Sequence, residues 1–212
     1  MAFLQKGVCK VIGSFINPSK HILTMVNMYK LKLTNLQQEI LKLLYVKAGT
    51  ALNQRQISKI LGVTPPAVMK ALPLLEKESL IKIKQDKESK RWAIELNRDN
   101  HKVMQLKRAE NLKMLYETEI VDFLAENFPG TTIILFGSYA FGEDVFDSDI
   151  DIAVIGAKEQ RVDTERYDKL LGKEVFLHFF ESFSKIDKHL RANIINGITL
   201  LGAVKNDDFK KI

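Results

Sequence analysis

Asp149 and Asp151 are the residues whose type and spacing in this chain most directly suggest chemistry. Residues two apart on a strand point to the same face, so the two carboxylates are expected side by side in one cleft. Carboxylates that close repel one another unless a cation lies between them. Magnesium is such a cation, because it takes oxygen ligands, commonly one or two carboxylates completed by substrate phosphates. Ten residues separate Asp149 from the upstream pair Gly137-Ser138. A glycine lets backbone approach a ligand closely. Ser138, with the N–H groups that open the next helix, suits a phosphate.

Two buried strands must hold these groups. Ile133 to Phe136 is a continuous apolar run, the signature of a strand covered on both faces. Gly137-Ser138 breaks it and opens a short helix, followed by Gly142 and a polar loop. A second strand then carries Asp149 and Asp151 into the apolar run that ends at Val154. A third strand is expected at Glu174 to Phe180, where parity places Glu174, Phe176 and His178 on one face. His178 has two readings, a base at neutral pH or a histidine packed in an apolar strand. Phe176, Phe179, Phe180 and Phe183 read as core. Helices are expected at Val162 to Leu171 and at Ser184 to Ile195, with a short edge strand at Ile198 to Leu201. Upstream, 101–127 reads as one long helix, ended by Pro129-Gly130. Its first half is basic, with Lys102, Lys107, Arg108 and Lys113.

The order of apolar strand, Gly137-Ser138, Gly142, Ser148-Asp149-Ile150-Asp151 and second apolar strand resembles the nucleotidyltransferases of the DNA-polymerase-β type. The likeness is to their minimal members, which include antitoxins that adenylylate a partner toxin. It covers about residues 115–202 and implies an α/β (α+β) fold with a small mixed sheet. Carried over by position, Gly137 and Ser138 would bind a nucleoside triphosphate, read here as ATP. Asp149 and Asp151 would bind two Mg²⁺ ions. A hydroxyl would attack the α-phosphate and pyrophosphate would leave. The family usually has a third carboxylate on the next strand, near Phe176 or His178 here, and neither is a carboxylate. That departure leaves a slow site, a site that uses His178 as its base, or one that binds nucleotide without turnover.

The chain before this region reads differently. Thr34 with Gln37 forms a capping box for a helix over 34–46, with Leu36, Ile40, Leu43 and Leu44 at helical spacing and Gly49 after it. Asn53 to Leu61 reads as a second helix with Ile57, Ile60 and Leu61 on its apolar face, closed by Gly62. Thr64 caps a third, with Pro65 at its first position. Leu80 to Lys84 and Trp92 to Leu96 read as a hairpin. This order resembles the winged helix-turn-helix, in which the third helix enters the DNA major groove and the wing touches backbone or minor groove. The implied DNA contacts are Thr64, Lys70, Lys87, Lys90 and Arg91. Two departures are Pro73, inside the third helix, where a bend near Met69 is expected, and Ser79, where glycine is the easier helix terminator. A winged helix serving as a protein–protein interface is the other reading of this module.

Charge follows the same division. Residues 1–29 carry +3, residues 30–98 carry +8 and residues 99–212 carry −5, giving +6 over 212 residues. Basic surface attracts phosphate backbones by releasing counterions. The expected organisation is an unassigned arm at 1–29, a DNA-binding module at 30–98, a connector at 99–127 and a transferase module at 115–212. A single cysteine, Cys9, excludes an intramolecular disulfide and fits a reducing cytoplasm. Neither a signal peptide nor a membrane partner is expected. The expected partners are DNA, a nucleoside triphosphate and a protein or nucleic-acid acceptor, with a homodimer left open. The rival is a DNA-binding regulator whose degenerate transferase module senses nucleotide.

Overall fold

The computed structural model describes residues 33–85 and 91–204. The chain divides into two compact units, Met1–Thr34 and Asn35–Ile212, and the second holds the elements described below. Cys9, the arm at 1–29, and the wing-tip residues Lys87 and Lys90 lie outside the described residues.

Three helices open the unit: α1 (Asn35–Val46), α2 (Gln54–Leu61) and α3 (Pro65–Lys77). Local chemistry sets their ends. The Asn53 side chain accepts from the N–H groups of Arg55 and Gln56, and the Gln56 side chain accepts from the Asn53 N–H, a complete capping box. Gly62 closes α2 in the left-handed conformation, φ 66°. Thr64 Oγ1 accepts from Ala67 N at 3.4 Å, and Pro65 occupies the first position of α3. The helix is continuous through Pro73, which lies on its exposed side. Ser79 takes the left-handed conformation expected of a glycine, φ 54°. Asn97 and Asn100 both donate to its carbonyl, at 2.8 and 3.0 Å. Ile57 is buried as expected, but Ile60 is 54% exposed.

β1 (Ile81–Gln85) and β2 (Trp92–Leu96) pair antiparallel, with Ile83 opposite Ile94. Leu52 bridges to Ile94 from the other side, which ties the α1–α2 link to the hairpin. Ile40, Leu44, Ile57, Val68, Leu75, Leu80 and Ile94 are all fully buried.

The expected single helix over 101–127 is two: α4 (His101–Glu117) and α5 (Ile120–Asn127). The break lies at Thr118, whose hydroxyl donates back to Met114 O, and at Glu119, φ 63°. The reason is phase. α4 buries Val103, Lys107, Asn111 and Leu115, and a helix continued at 100° per residue would turn Ile120 and Leu124 away from that side. The left-handed residue resets the phase so that Ile120, Val121 and Leu124 all reach the sheet core.

The sheet has order β5-β4-β3-β6, from β3 (Thr132–Phe136), β4 (Ile150–Ile155), β5 (Val175–Phe180) and β6 (Ile198–Leu201). β4 and β5 are parallel, and the other pairings are antiparallel. α6 (Gly137–Phe141) follows β3, and α7 (Glu165–Leu171) precedes β5. α7 starts three residues later than expected, with Asp163 accepting from Glu165 N at its start. The expected helix over 184–195 is a 3-10 turn, Phe183–Lys185, followed by α8 (Lys188–Ile195). Phe183 and Ile186 fill the core between these pieces, and Asp187 caps the second. Ile150, Ile152 and Val154 face the larger core with α5 and α7, whereas Ala153 and Ile155 face the smaller one with Ile186 and Ile194. By strand alternation, Asp151 belongs to that second face.

Candidate functional site

The pairing of β3 with β4 builds the centre. Phe136 lies opposite Asp151, so Gly137, the next residue, sits over the Asp151 carboxylate. A Cβ on Gly137 would come within 2.7 Å of Asp151 Oδ2, and the residue has φ +72°. Both the close approach and the conformation demand glycine. Ser138 follows, half-buried at the start of α6.

β5 adds the third component. His178 lies opposite Ala153 on the Asp151 face, and its Nε2 is 3.0 Å from Asp151 Oδ1. A carboxylate only accepts, so the ring N–H at Nε2 donates to it. The edge of the Phe136 ring meets the imidazole at a centroid distance of 5.2 Å. His178 and Asp151 are each about one-third exposed, 37% and 34%. His178 is therefore neither deep core nor free.

Asp149 lies one residue before β4 and is exposed, so the expected pair of strand aspartates is one strand residue and one loop residue. Phe176 lies directly opposite Asp151 in the β4–β5 register and is 40% exposed. The expectation that it is core is wrong: its strand position turns it to the open end of the Asp151 face. Phe183 is buried, and Phe179 packs against Phe128. Among the described residues no group of three or more His, Cys, Asp or Glu side chains could hold a metal ion. Two carboxylates fit a single magnesium completed by substrate phosphates. Phe176, opposite Asp151 in the register, offers no ligand to a metal ion.

The loop from Glu143 to Asp149 is fixed by groups that sequence reasoning passed over. Lys107, counted with the basic first half of the helix, is fully buried and ion-paired with Asp144, itself 1% exposed. Asn111 donates to the same carboxylate at 2.7 Å and to Tyr139 O at 3.0 Å. Burial holds the Lys107 ammonium below the usual lysine range, against the opposing pull of Asp144. Burial, with Asp144 and Glu110, pushes the Tyr139 phenol up. The available signal was the spacing 103, 107, 111 and 115, which continues one helix stripe through two polar residues.

The same loop rests on the winged-helix elements. Phe146 N donates to Ala48 O at 2.9 Å, and Arg98 donates to Glu143 O at 3.1 Å. The Lys47 ammonium lies 3.7 Å from the centre of the Phe146 ring. A Cβ on Gly49, φ +83°, would stand 3.0 Å from Val145. Gly142, the second glycine of the motif, has its own steric reason: a Cβ there would meet Met104 O at 2.6 Å and Arg108 N at 2.8 Å.

On the winged helix, Thr64, Lys70 and Arg91 are exposed. The Thr64 oxygen is engaged in capping α3. No helix among the described residues is long and apolar enough to cross a membrane.

Residues 117–200 match the family described as nucleotidyltransferase domain. No curated protein matches the chain. Among solved structures, the chain is similar to the Staphylococcus aureus MepR–DNA complex, at 26% identity over 51% of this chain and 91% of that one, TM-score 0.35. It is also similar to the adhesin competence repressor AdcR of Streptococcus pyogenes, at 22% identity over 53% and 78%, TM-score 0.37. A third is ZitR of Lactococcus lactis, at 20% identity over 56% and 87%, TM-score 0.36. The fold is mixed α and β, with three helices and a hairpin in winged helix-turn-helix order followed by the region that matches the nucleotidyltransferase domain model.

Proposed function

We propose that the protein is a nucleotidyltransferase that moves AMP from ATP to a hydroxyl on a protein or nucleic acid, and that its winged helix binds DNA. The observation that carries this reading is the convergence of Gly137, Asp151 and His178 across three neighbouring strands. Gly137 and Ser138 receive the triphosphate. Asp149 and Asp151 hold magnesium, which neutralises phosphate charge. The acceptor oxygen bonds to the α-phosphorus, the bond to the β-phosphate bridge breaks and pyrophosphate leaves with its electron pair. His178 Nδ1 takes the hydroxyl proton. A protein acceptor, promoter binding and an antitoxin-like role belong to the same proposal, as does work in the cytoplasm. A homodimer is compatible with it.

The test is transfer of label from ATP labelled at the α-phosphate, with Mg²⁺ and cell lysate. A labelled macromolecule is expected, and Asp149→Asn with Asp151→Asn should abolish both transfer and Mg·ATP binding. Binding without transfer would establish the second reading, a regulator that senses nucleotide. Phe176, apolar at the register position beside Asp151, favours that reading. In that case Phe176→Asp should raise transfer from nothing to a measurable rate.

For DNA, affinity should fall steeply with salt. Lys70→Ala and Arg91→Ala should each flatten the slope by about one contact if they meet phosphate. A slope near zero in the unaltered protein would make the winged helix a protein-binding surface.

A further inference from the structure

We propose that Lys173 is the positioning residue for Asp149, acting through the backbone on both sides of it. The inference rests on the reading of Asp149 as a magnesium ligand.

Lys173 lies in the turn between α7 and β5, and its side chain is 5% exposed. Its ammonium donates to Val145 O at 2.5 Å and to Ser148 O at 3.1 Å, with Phe146 O at 3.4 Å. It also faces Asp144 Oδ2 at 3.5 Å. An ammonium has three donors and no acceptor, and this one directs them to the loop that ends at Asp149. Burying a charge is tolerated only when it is paired and fully hydrogen-bonded. The loop carbonyls supply that satisfaction.

Ser148 immediately precedes Asp149, and Ile150 immediately follows it. Ser148 O is held by Lys173, and Ile150 N donates to Glu174 O at 2.9 Å. Two consecutive residues, Lys173 and Glu174, therefore grip the chain on either side of Asp149 while its own side chain stays exposed. The turn is closed from within as well, since Val145 N donates to Ser148 Oγ at 2.9 Å. Asp151 needs no such support, because β4 has strands paired on both sides. The carboxylate that leaves the sheet is the one with a buried lysine beneath its backbone.

Supports of this kind matter to ligands, and their loss typically costs about 10–100-fold in metal affinity or activity. Lys173→Met should weaken Mg·ATP binding at least about tenfold per folded molecule, measured by calorimetry with Mg²⁺ and ATP. The decisive comparison is a double-mutant cycle. If Lys173 acts through Asp149, Lys173→Met costs nothing further in an Asp149→Asn background. Additive losses, or unchanged affinity with a lower melting temperature, would overturn the proposal and leave Lys173 a structural residue. Lys173→Arg keeps the buried charge and should retain most of the affinity. Lys173→Gln, which removes the charge but can still donate, carries the same cycle if the methionine variant does not fold. Unaltered protein that binds no Mg·ATP would overturn the transferase reading itself, a result separate from any outcome of the cycle.

Discussion

The winged-helix caps and the loop before Asp149 solve the same problem in opposite ways. Each must fix a short stretch of backbone that has no regular partner. At Asn53 and Thr64 the solution is local: a side chain bonds an N–H two or three residues on. In the loop from Glu143 to Asp149 it is distant. Asp144 is met by Lys107 and Asn111 on α4, 37 and 33 residues away in the chain. Val145 O is met by Lys173 beyond α7, 28 residues away. Local caps are exposed and individually modest. Distant polar clamps are buried, so their loss strands a charge. A single chain thus keeps its winged-helix elements by neighbourhood rules and its candidate catalytic loop by long-range ones.

The largest way to break that contrast is Lys107→Met. It leaves Asp144 buried with Lys173 as its nearest cation, at 3.5 Å. Loss of one partner of a buried pair costs about 3–5 kcal/mol, and the low end is expected because Lys173 remains. Urea unfolding would measure it. A change under about 0.5 kcal/mol would mean that the pair is not held in a dry interior.

Next is Gly142→Ala. The residue has φ +72°, and the new Cβ meets the backbone of α4 at 2.6 and 2.8 Å. Left-handed strain costs about 1–3 kcal/mol, and α4 must also move. The same substitution at Gly62, φ +66° with open space around its Cβ, should cost only the conformational part. Equal melting temperatures for the two variants would show that α4 and α6 do not touch closely. The smallest effect is Asn53→Ala, which removes the α2 cap for about 1 kcal/mol. A loss of several kcal/mol there would erase the distinction between local and distant control.

These differences explain what could be read from the sequence. Thr64 and Gly62 announce a helix start and a helix end because their chemistry acts on neighbouring residues. Gly137, Ser138, Asp149 and Asp151 fall in an order that names the two central strands. Lys107 and Asn111 hid because a lysine on a helix ordinarily reads as solvated. Only the fold reveals that Asp144 stands opposite. The break at Glu119 was hidden as well, since a left-handed glutamate has no local signature. The exposure of Phe176 depends on where β5 ends in the register, which an apolar run leaves unstated. His178 kept two readings in the sequence, and its contact with Asp151 comes from strand pairing alone.

The buried stripe of α4 has a consequence for how this chain can be divided. Cutting after the hairpin, near residue 98, separates Arg98 from the α4 that continues it. Cutting before residue 115 discards Lys107 and Asn111, and with them two partners of Asp144. Neither fragment inherits a complete interior. α4 is a shared organ, and a recombination that moved either half of this chain into another protein would have to carry α4 with it. The two halves are joined in the interior of the molecule, through the buried face of α4.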